Sequence, residues 1–228
     1  MPIRGVERVF LLTGYTVDML AQSKAIVDEA VKADVQHIVH IGAYAKEDTT
    51  VAHLGWHQLI ERYIESSGIA YTHLRPNYFM QNLLRLPNTN NPGVIHQFFG
   101  EARLGWIDAD DIALVAATVL RSPERYAGQI IPLAVEALTG DEIAEVLTQS
   151  LGQPYRYQAQ SPDDLLAQLL SVGMEPAYAR CAVDVNRRLT TGTMSEAADT
   201  FDNFESITGR KPNYWKDFAL KHRDKFRY

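Results

Sequence analysis

The first 76 residues alternate short apolar runs with stretches of helical periodicity, and this alternation restricts the fold more than any other feature. The apolar runs are Val9–Leu12, His37–Gly42 and Ile69–Pro76. Between them, apolar residues follow a helical pattern over 17–33 and again at positions 56, 59, 60, 63 and 64. Strand–helix–strand–helix–strand with short connections predicts an α/β protein with a parallel sheet. The unbroken run Val9–Leu12 further predicts an interior strand of that sheet.

Beyond Pro76 the pattern changes to shorter elements. We expect a loop over Leu86–Gly93, a strand in VIHQFF, a helix over Asp108–Leu120 and a strand in GQIIPLAV. Thr139 and Glu142 have the spacing of a capping box, which predicts a helix beginning there. The later residues are mostly helix and loop, and we expect the basic residues of the C-terminal tail to be solvated. The cluster Asp108, Asp110 and Asp111 is expected to cap its helix, with a catalytic use as the alternative.

Composition excludes several classes of function. The net charge is −6 and no basic stripe is present, so we expect no nucleic-acid surface. No apolar stretch approaches the length of a membrane span, so we expect no membrane contact. Cys181 is the one cysteine of the sequence, which suits a cytoplasmic location. A hydrolase of the α/β type is disfavoured because the sequence has no G-x-S-x-G motif.

Five segments in register resemble the NmrA-like group of atypical short-chain dehydrogenase/reductases. They are VERVFLLTGYTVDM, VQHIVHIGAYA, SSGIAYTHLRPNYFMQNLL, IDADDIALVAATVL and TGRKPNYWKDFALKHRDKF. The resemblance implies a Rossmann-type fold that binds NADP or NAD, together with a C-terminal lobe that binds a small-molecule substrate. In that family the strand resembling RVFLLT is the fourth, so the resemblance also implies that the first βαβαβ half is missing.

The missing half would hold the glycine-rich turn that binds the cofactor's pyrophosphate. The 14 glycines of this sequence are scattered, and none form GxGxxG or GxxGxxG. We therefore expect this chain to bind NADPH weakly or not at all. The choice between NAD and NADP is left open, because the residue that selects between them belongs to the same half.

The resulting fold prediction is an α/β chain with a partial Rossmann-type parallel sheet, flanking helices and a small α+β C-terminal substrate lobe. Residues 1–135 would form the truncated NAD(P)-binding domain, with part of the substrate lobe inserted around 86–107. Residues 136–228 would form the mainly helical substrate lobe.

The resemblance also assigns the catalytic positions, and all of them depart from the pattern of short-chain reductases at large. Many NmrA-like reductases also lack the full triad, so hydride transfer is not excluded. The Tyr and Lys of the YxxxK motif fall on His53 and His57, and the strand-end Ser or Thr falls on Gly42. His53 and His57 are therefore weak catalytic candidates, and a polar helix face is the plainer interpretation. Their i, i+4 spacing, with Glu61 one turn on, also suits a metal, but we expect no metal site.

The candidate binding residues follow the three predicted strands, where ligands bind in open α/β sheets. Those assigned to the cofactor are Thr13, Gly14, Tyr15, Gly42, Ala43, Tyr44, Pro76, Asn77 and Tyr78. Those assigned to a substrate pocket are Phe79, Met80 and Trp106, with a place in the core as the alternative.

Two functions remain open from the sequence. One is an NmrA-like NAD(P)-dependent oxidoreductase of small molecules, or a truncated form of one, without the standard Ser/Tyr/Lys relay. The alternative is a non-catalytic nucleotide- or ligand-binding regulatory protein descended from that family. In either case the edge of Val9–Leu12 is left without its usual neighbour, so we expect a homodimer that covers it.

Overall fold

A computed structural model of the chain describes residues 3–85 and 93–226, so the predicted loop over Leu86–Gly93 lies almost wholly outside it. The strands are β1 Arg8–Leu11, β2 His37–Ile41, β3 Ala70–Pro76, β4 Tyr78–Phe79, β5 Val94–Gln97, β6 Leu104–Ile107, β7 Gln129–Leu133, β8 Glu136–Leu138 and β9 Arg156–Ala159. The helices are α1 Met19–Lys32, α2 Ala52–Ser66, α3 Asn82–Arg85, α4 Ala109–Arg121, α5 Pro123–Tyr126, α6 Gly140–Leu151, α7 Pro162–Ser171, α8 Pro176–Thr190, α9 Phe204–Thr208 and α10 Trp215–Lys221. A 3₁₀ turn spans Ser195–Ala198. Within the two described ranges, no helix combines the length and the apolar character needed to cross a bilayer.

The main sheet has four parallel strands in the order β1-β2-β3-β7. Alternate residues of each strand point to opposite faces. Ile38 packs with α1 and α2 in one buried cluster, whereas Val39 packs with α4 in another. The sheet therefore lies between two helical layers, which confirms the α/β prediction with a parallel sheet.

Two smaller sheets extend the fold beyond the main sheet. One joins β4, β6 and β8, and the other pairs β5 with β9. Their side chains share a core with α6, α8 and α10, built around Trp106, Trp215 and Phe218. The strands β6, β8 and β9 were not predicted, because each has only three or four residues and therefore shows little alternation.

The capping predictions are confirmed, and the prediction for the basic tail is wrong in part. Asp108 caps α4 by accepting a hydrogen bond from the Asp110 backbone N–H, and Thr139 with Glu142 forms the capping box of α6. Lys221, however, is not simply solvated. Its Nζ lies 2.9 Å from Asp108 Oδ2 and also contacts Asp110, so it ties α10 to the start of α4.

The prediction of an interior position for Val9–Leu12 is wrong. Among residues 3–85 and 93–226, β1 pairs only with β2 and forms one edge of the main sheet. Phe10 is 41% exposed and Leu12 is 63% exposed. A short apolar run indicates a buried strand, but it does not reveal whether a second neighbour exists.

The exposed edge at β1 leads to a prediction about assembly. In a two-fold pair of β1 strands, Phe10 would lie near the axis, so Phe10→Lys should bring like charges together and weaken the dimer by at least about tenfold, or about 1.4 kcal/mol. Ile130→Lys on the opposite edge strand β7 is the matched control, because Ile130 is also 41% exposed. Sedimentation equilibrium of the three proteins measures the effect. A wild-type chain that stays monomeric at all concentrations, or equal weakening by both variants, would contradict the prediction.

Candidate functional site

The carboxyl ends of β2 and β3 lie side by side, as the strand pattern predicts. After β2 ends, the chain continues to form hydrogen bonds with β3. The Gly42 N–H donates to Leu74 O at 2.8 Å, and the Tyr44 N–H donates to Pro76 O at 2.9 Å. The Asn77 N–H extends the pattern to Leu133 O at 2.9 Å. The two candidate turns 42–44 and 76–78 are therefore held together by backbone hydrogen bonds, at the edge where ligands bind in open α/β sheets.

A segment that the sequence did not single out, residues 195–201, covers these two turns. The Tyr44 hydroxyl donates to Asp199 Oδ2 at 2.6 Å, and Asn77 Nδ2 donates to Ala197 O at 3.0 Å. The Phe201 N–H donates to Ala134 O at 2.8 Å. This segment thus places the Asp199 carboxylate beside the Tyr44 hydroxyl, at the rim of the candidate site.

Gly105 permits this close approach. A Cβ at position 105 would lie less than 3.0 Å from both Asp199 O and Asn77 Nδ2. The glycine therefore serves the packing of the 195–201 segment rather than a turn, a role that sequence reasoning could not have seen.

The phenol of Tyr44 stays protonated at neutral pH. Burial, together with the hydrogen bond to Asp199, raises its pKa to about 12. Tyr78, on the neighbouring turn, has its pKa raised by burial as well. Both residues are hydrogen-bonding or apolar groups at neutral pH rather than bases.

The third candidate turn, Thr13–Tyr15, leads to the start of α1. The Tyr15 ring lies edge-on to Tyr178 of α8, with centroids 5.4 Å apart. The Val17 N–H, two residues before α1, donates to Glu175 Oε2 at 2.8 Å. A cofactor phosphate would meet a carboxylate here, so this turn does not suit a diphosphate.

His53 and His57 do not form a plain polar helix face. Both are half-buried: the His53 ring lies 5.3 Å from Tyr178, and the His57 ring lies 5.9 Å from His40. Burial lowers the pKa of each to about 4. At neutral pH both imidazoles are uncharged, so neither carries an imidazolium proton to donate.

Glu61 does not lie with His53 and His57, as a metal site of those three would need. It instead forms a buried ion pair with Arg75 of β3, with Oε2 2.5 Å from Nη2 and Oε1 3.0 Å from Nε. Glu47 binds the same guanidinium through Nη1 at 2.8 Å. Burial lowers the pKa of Arg75, but the hydrogen bonds that its guanidinium donates to Glu61 and Glu47 raise the pKa by more, and the net direction is upward.

The carboxylate of this ion pair lies against Gly42, at the position where short-chain reductases have a hydroxyl residue. A Cβ at position 42 would lie 2.8 Å from Glu61 Oε1. Such a contact is closer than real Cβ atoms show, so any larger residue would have to displace the carboxylate. A side chain at position 42 and the buried carboxylate of Glu61 would therefore compete for the same space.

The three candidate pocket residues lie mainly in the core. Met80 and Trp106 are fully buried in the cluster around Trp215, and Trp106 Nε1 donates to Leu138 O at 3.1 Å. Phe79 packs, partly buried, against the cluster on the α4 side of the sheet. Met80 and Trp106 are therefore core residues and do not line an open pocket.

Several neighbouring residues were missed by sequence reasoning. His40, His73 and Arg75 gather beneath Gly42, and Asp199 and Tyr178 reach the turns from the C-terminal part of the chain. Strand alternation could have found the first group, since His40 and His73 each lie shortly before a strand end. Nothing in the local sequence marks Asp199 or Tyr178.

The parallel sheet, the helical layers and the turns at its carboxyl edge define a Rossmann-type α/β protein. The model of the NmrA-like family matches residues 2–220, so the chain belongs to the NmrA-like family. An NAD(P)H azoreductase of Xenophilus azovorans is 30% identical over 221 residues, covering 96% of this chain and 76% of the relative.

Solved structures show the same fold. The quinone oxidoreductase QOR2 of Escherichia coli, complexed with NADPH, matches with a TM-score of 0.80 at 24% identity, covering 97% of this chain and 78% of that one. NmrA, a negative transcriptional regulator in complex with NADP, matches with a TM-score of 0.74 at 16% identity, covering 96% and 74%. At these sequence identities, the two structural matches establish the fold and not the function.

The buried position of His53 predicts a pH-dependent stability. Its pKa in the folded chain is about 4, below the unfolded value of about 6.5, so between these values the unfolded chain binds the extra proton. The stability that neutral His53 contributes is therefore present above about pH 6.5 and is lost as the pH falls towards 4, by at most about 1.4 kcal/mol per pH unit. Nearby Asp184 opposes this effect.

His53→Gln removes this titration and should flatten the profile. Urea unfolding at about pH 7 and about pH 5 should show the wild type losing roughly 1 kcal/mol per pH unit more than the variant. Parallel pH profiles of the two proteins would show that His53 is not held neutral by the fold.

Proposed function

We propose that this protein is an NAD(P)-dependent oxidoreductase that reduces a small-molecule acceptor. The observation that carries the proposal is the carboxyl edge of the sheet, where the turns 42–44 and 76–78 are joined by backbone hydrogen bonds and covered by residues 195–201. Membership of the NmrA-like family and the azoreductase relative support a redox reaction over other chemistry at this edge.

The described residues suit the nicotinamide end of the cofactor but offer no site for its diphosphate. Gly42, Ala43, Tyr44, Pro76 and Asn77 offer the backbone and polar groups that we assign to the nicotinamide end. The sequence has no glycine fingerprint for the diphosphate, and the start of α1 is already met by Glu175. When bound, the cofactor supplies a hydride, and the residues of the edge hold the acceptor beside it.

The lack of a proton relay narrows the class of acceptor. Gly42, His53 and His57 replace the hydroxyl, phenol and ammonium groups of the standard relay, and both imidazoles are neutral. Such a site suits an acceptor that becomes a delocalised or basic anion on receiving a hydride, because water can then supply the proton. Quinones and azo compounds have this property, and we propose them as the substrate class.

The assay is NADPH oxidation with a soluble quinone, followed by absorbance. We expect turnover above the protein-free rate, rising nearly linearly with NADPH through the micromolar range because the diphosphate is poorly held. Arg103→Ala is a control that should leave the rate unchanged, because Arg103 forms an exposed ion pair with Glu142 of α6 and a hydrogen bond to the Ala137 carbonyl of β8. Saturation at low-micromolar NADPH would contradict the weak binding, and no turnover at millimolar NADPH would contradict the oxidoreductase.

The alternative, a non-catalytic nucleotide- or ligand-binding regulatory protein, is favoured by one observation. All three relay positions are replaced, and the replacements at 53 and 57 pack against Tyr178 and His40 instead of holding a proton for transfer. Binding of nucleotide without turnover in the same assay would select this second function.

A further inference from the structure

We propose that His40, Glu61 and His73 form a binding site for a divalent transition metal of the zinc class, beneath the carboxyl edge of the sheet. One nitrogen from each histidine and one oxygen of Glu61 all lie within 4.8 Å of one another. The site shares no residue with those we assign to the nicotinamide end, and the inference does not depend on the oxidoreductase reaction.

The fold brings these residues together through strand register. His40 of β2 is paired directly with His73 of β3. Both histidines lie on the face of the sheet that α2 covers, and Glu61 of α2 points toward this face. His40 and His73 are completely buried, and Glu61 is 1% exposed. The three side chains are therefore fixed by three different elements and cannot move into water.

The histidine nitrogens have no hydrogen-bond partner. Both ring nitrogens of His40 and both of His73 are buried without one. The nearest charged oxygen to His73 is Glu65 Oε1, at 3.5 Å from Nε2. An unsatisfied buried polar atom is costly and is rare in native proteins. A metal ion would satisfy one nitrogen of each ring at once.

The chemistry of the donors agrees with such an ion. Imidazole and carboxylate together suit Zn²⁺ and related metals, and metals bind the neutral form of histidine. Burial keeps both rings uncharged by lowering the pKa of His40 and of His73, the latter to about 3.

The net charge of the side chains around the site also favours a bound cation. Among the described residues, Glu47, Glu61 and Glu65 form ion pairs with Arg62 and Arg75, and Glu65 also approaches the neutral ring of His73. Three carboxylates and two guanidinium groups leave this linked cluster with a net charge of −1. The ion pair with Arg75 does not exhaust Glu61, because a carboxylate has about four lone-pair sites. Its Oε1 accepts one of the hydrogen bonds from Arg75, whereas Oε2 accepts two.

Gly42 opens the space in which the ligands meet. The Cβ that a larger residue would carry at 42 lies 2.8 Å from Glu61 Oε1 and 3.4 Å from His40 Cε1, so both groups face the same gap. Tetrahedral zinc with bonds of about 2.0–2.1 Å places its ligand atoms about 3.4 Å apart. The three atoms must therefore close by up to about 1.4 Å, which ring and carboxylate rotation can supply. Water would take the fourth position.

The test uses the full chain without a histidine tag, stripped of metal by a chelator and titrated with Co²⁺. Cobalt replaces zinc in such sites and gives visible d–d absorption. We expect one equivalent of Co²⁺ to bind with the intense bands of a four- or five-coordinate site, and one equivalent of Zn²⁺ to displace it. His73→Asn should weaken binding by more than about 100-fold, beyond the 10–100-fold typical of residues outside the first coordination shell.

His53→Asn is the matched control, because His53 lies on α2 but outside the cluster and contacts Tyr178. It should bind Co²⁺ within a few-fold of the wild type. Far-ultraviolet circular dichroism establishes that each variant is folded. The titration of the wild type decides the question even where His73→Asn does not fold: absence of visible bands at millimolar Co²⁺ overturns the proposal. Equal loss in His53→Asn and a folded His73→Asn also overturns it.

Discussion

The buried ion pair between Arg75 and Glu61 is the interaction on which the rest of the site depends. The side chain of Arg75 is 8% exposed and that of Glu61 is 1% exposed, yet the two are joined through two guanidinium nitrogens. A buried charge that loses its partner costs about 3–5 kcal/mol, so neither residue can change alone. The pair ties α2 to β3, and its carboxylate lies against Gly42 in the turn after β2.

The position of Glu61 bears both on the hydroxyl that is missing at position 42 and on the histidines that lie beneath the turn. A hydroxyl residue at position 42 would displace the Glu61 carboxylate from its present position, because its Cβ would lie 2.8 Å from Oε1. Under the same turn, the imidazoles of His40 and His73 gather beside Glu61. The carboxyl edge thus combines the turns that we propose for the nicotinamide, above Gly42, with the proposed metal site below it.

Much of the fold could be predicted because its signals are local. The parallel sheet followed from the alternation of strands and helices, and the starts of α4 and α6 followed from Asp108 and Thr139. The edge position of β1 could not be predicted from its apolar run, which reports burial and not the number of neighbours. It was expected only from the family resemblance, which implies that the neighbouring strands are missing. His53 and His57 looked like a polar helix face because the residue that covers His53, Tyr178, lies more than a hundred residues further along the chain. The 195–201 segment was missed for the same reason: its contacts with Tyr44 and Asn77 are long-range.

The central claim is that the turns 42–44 and 76–78 form the nicotinamide end of a ligand site. Reduced nicotinamide mononucleotide tests it most directly, because this probe lacks the adenosine half of the cofactor and needs no glycine-rich turn for a diphosphate. Amide chemical shifts of the ¹⁵N-labelled chain are recorded as the probe is added. We expect saturable shifts at Gly42, Ala43, Tyr44 and Asn77, and none at Glu7 and Gln36, which lie at the opposite ends of the strands. Absence of shifts at millimolar probe, or shifts confined to other surfaces, would contradict it.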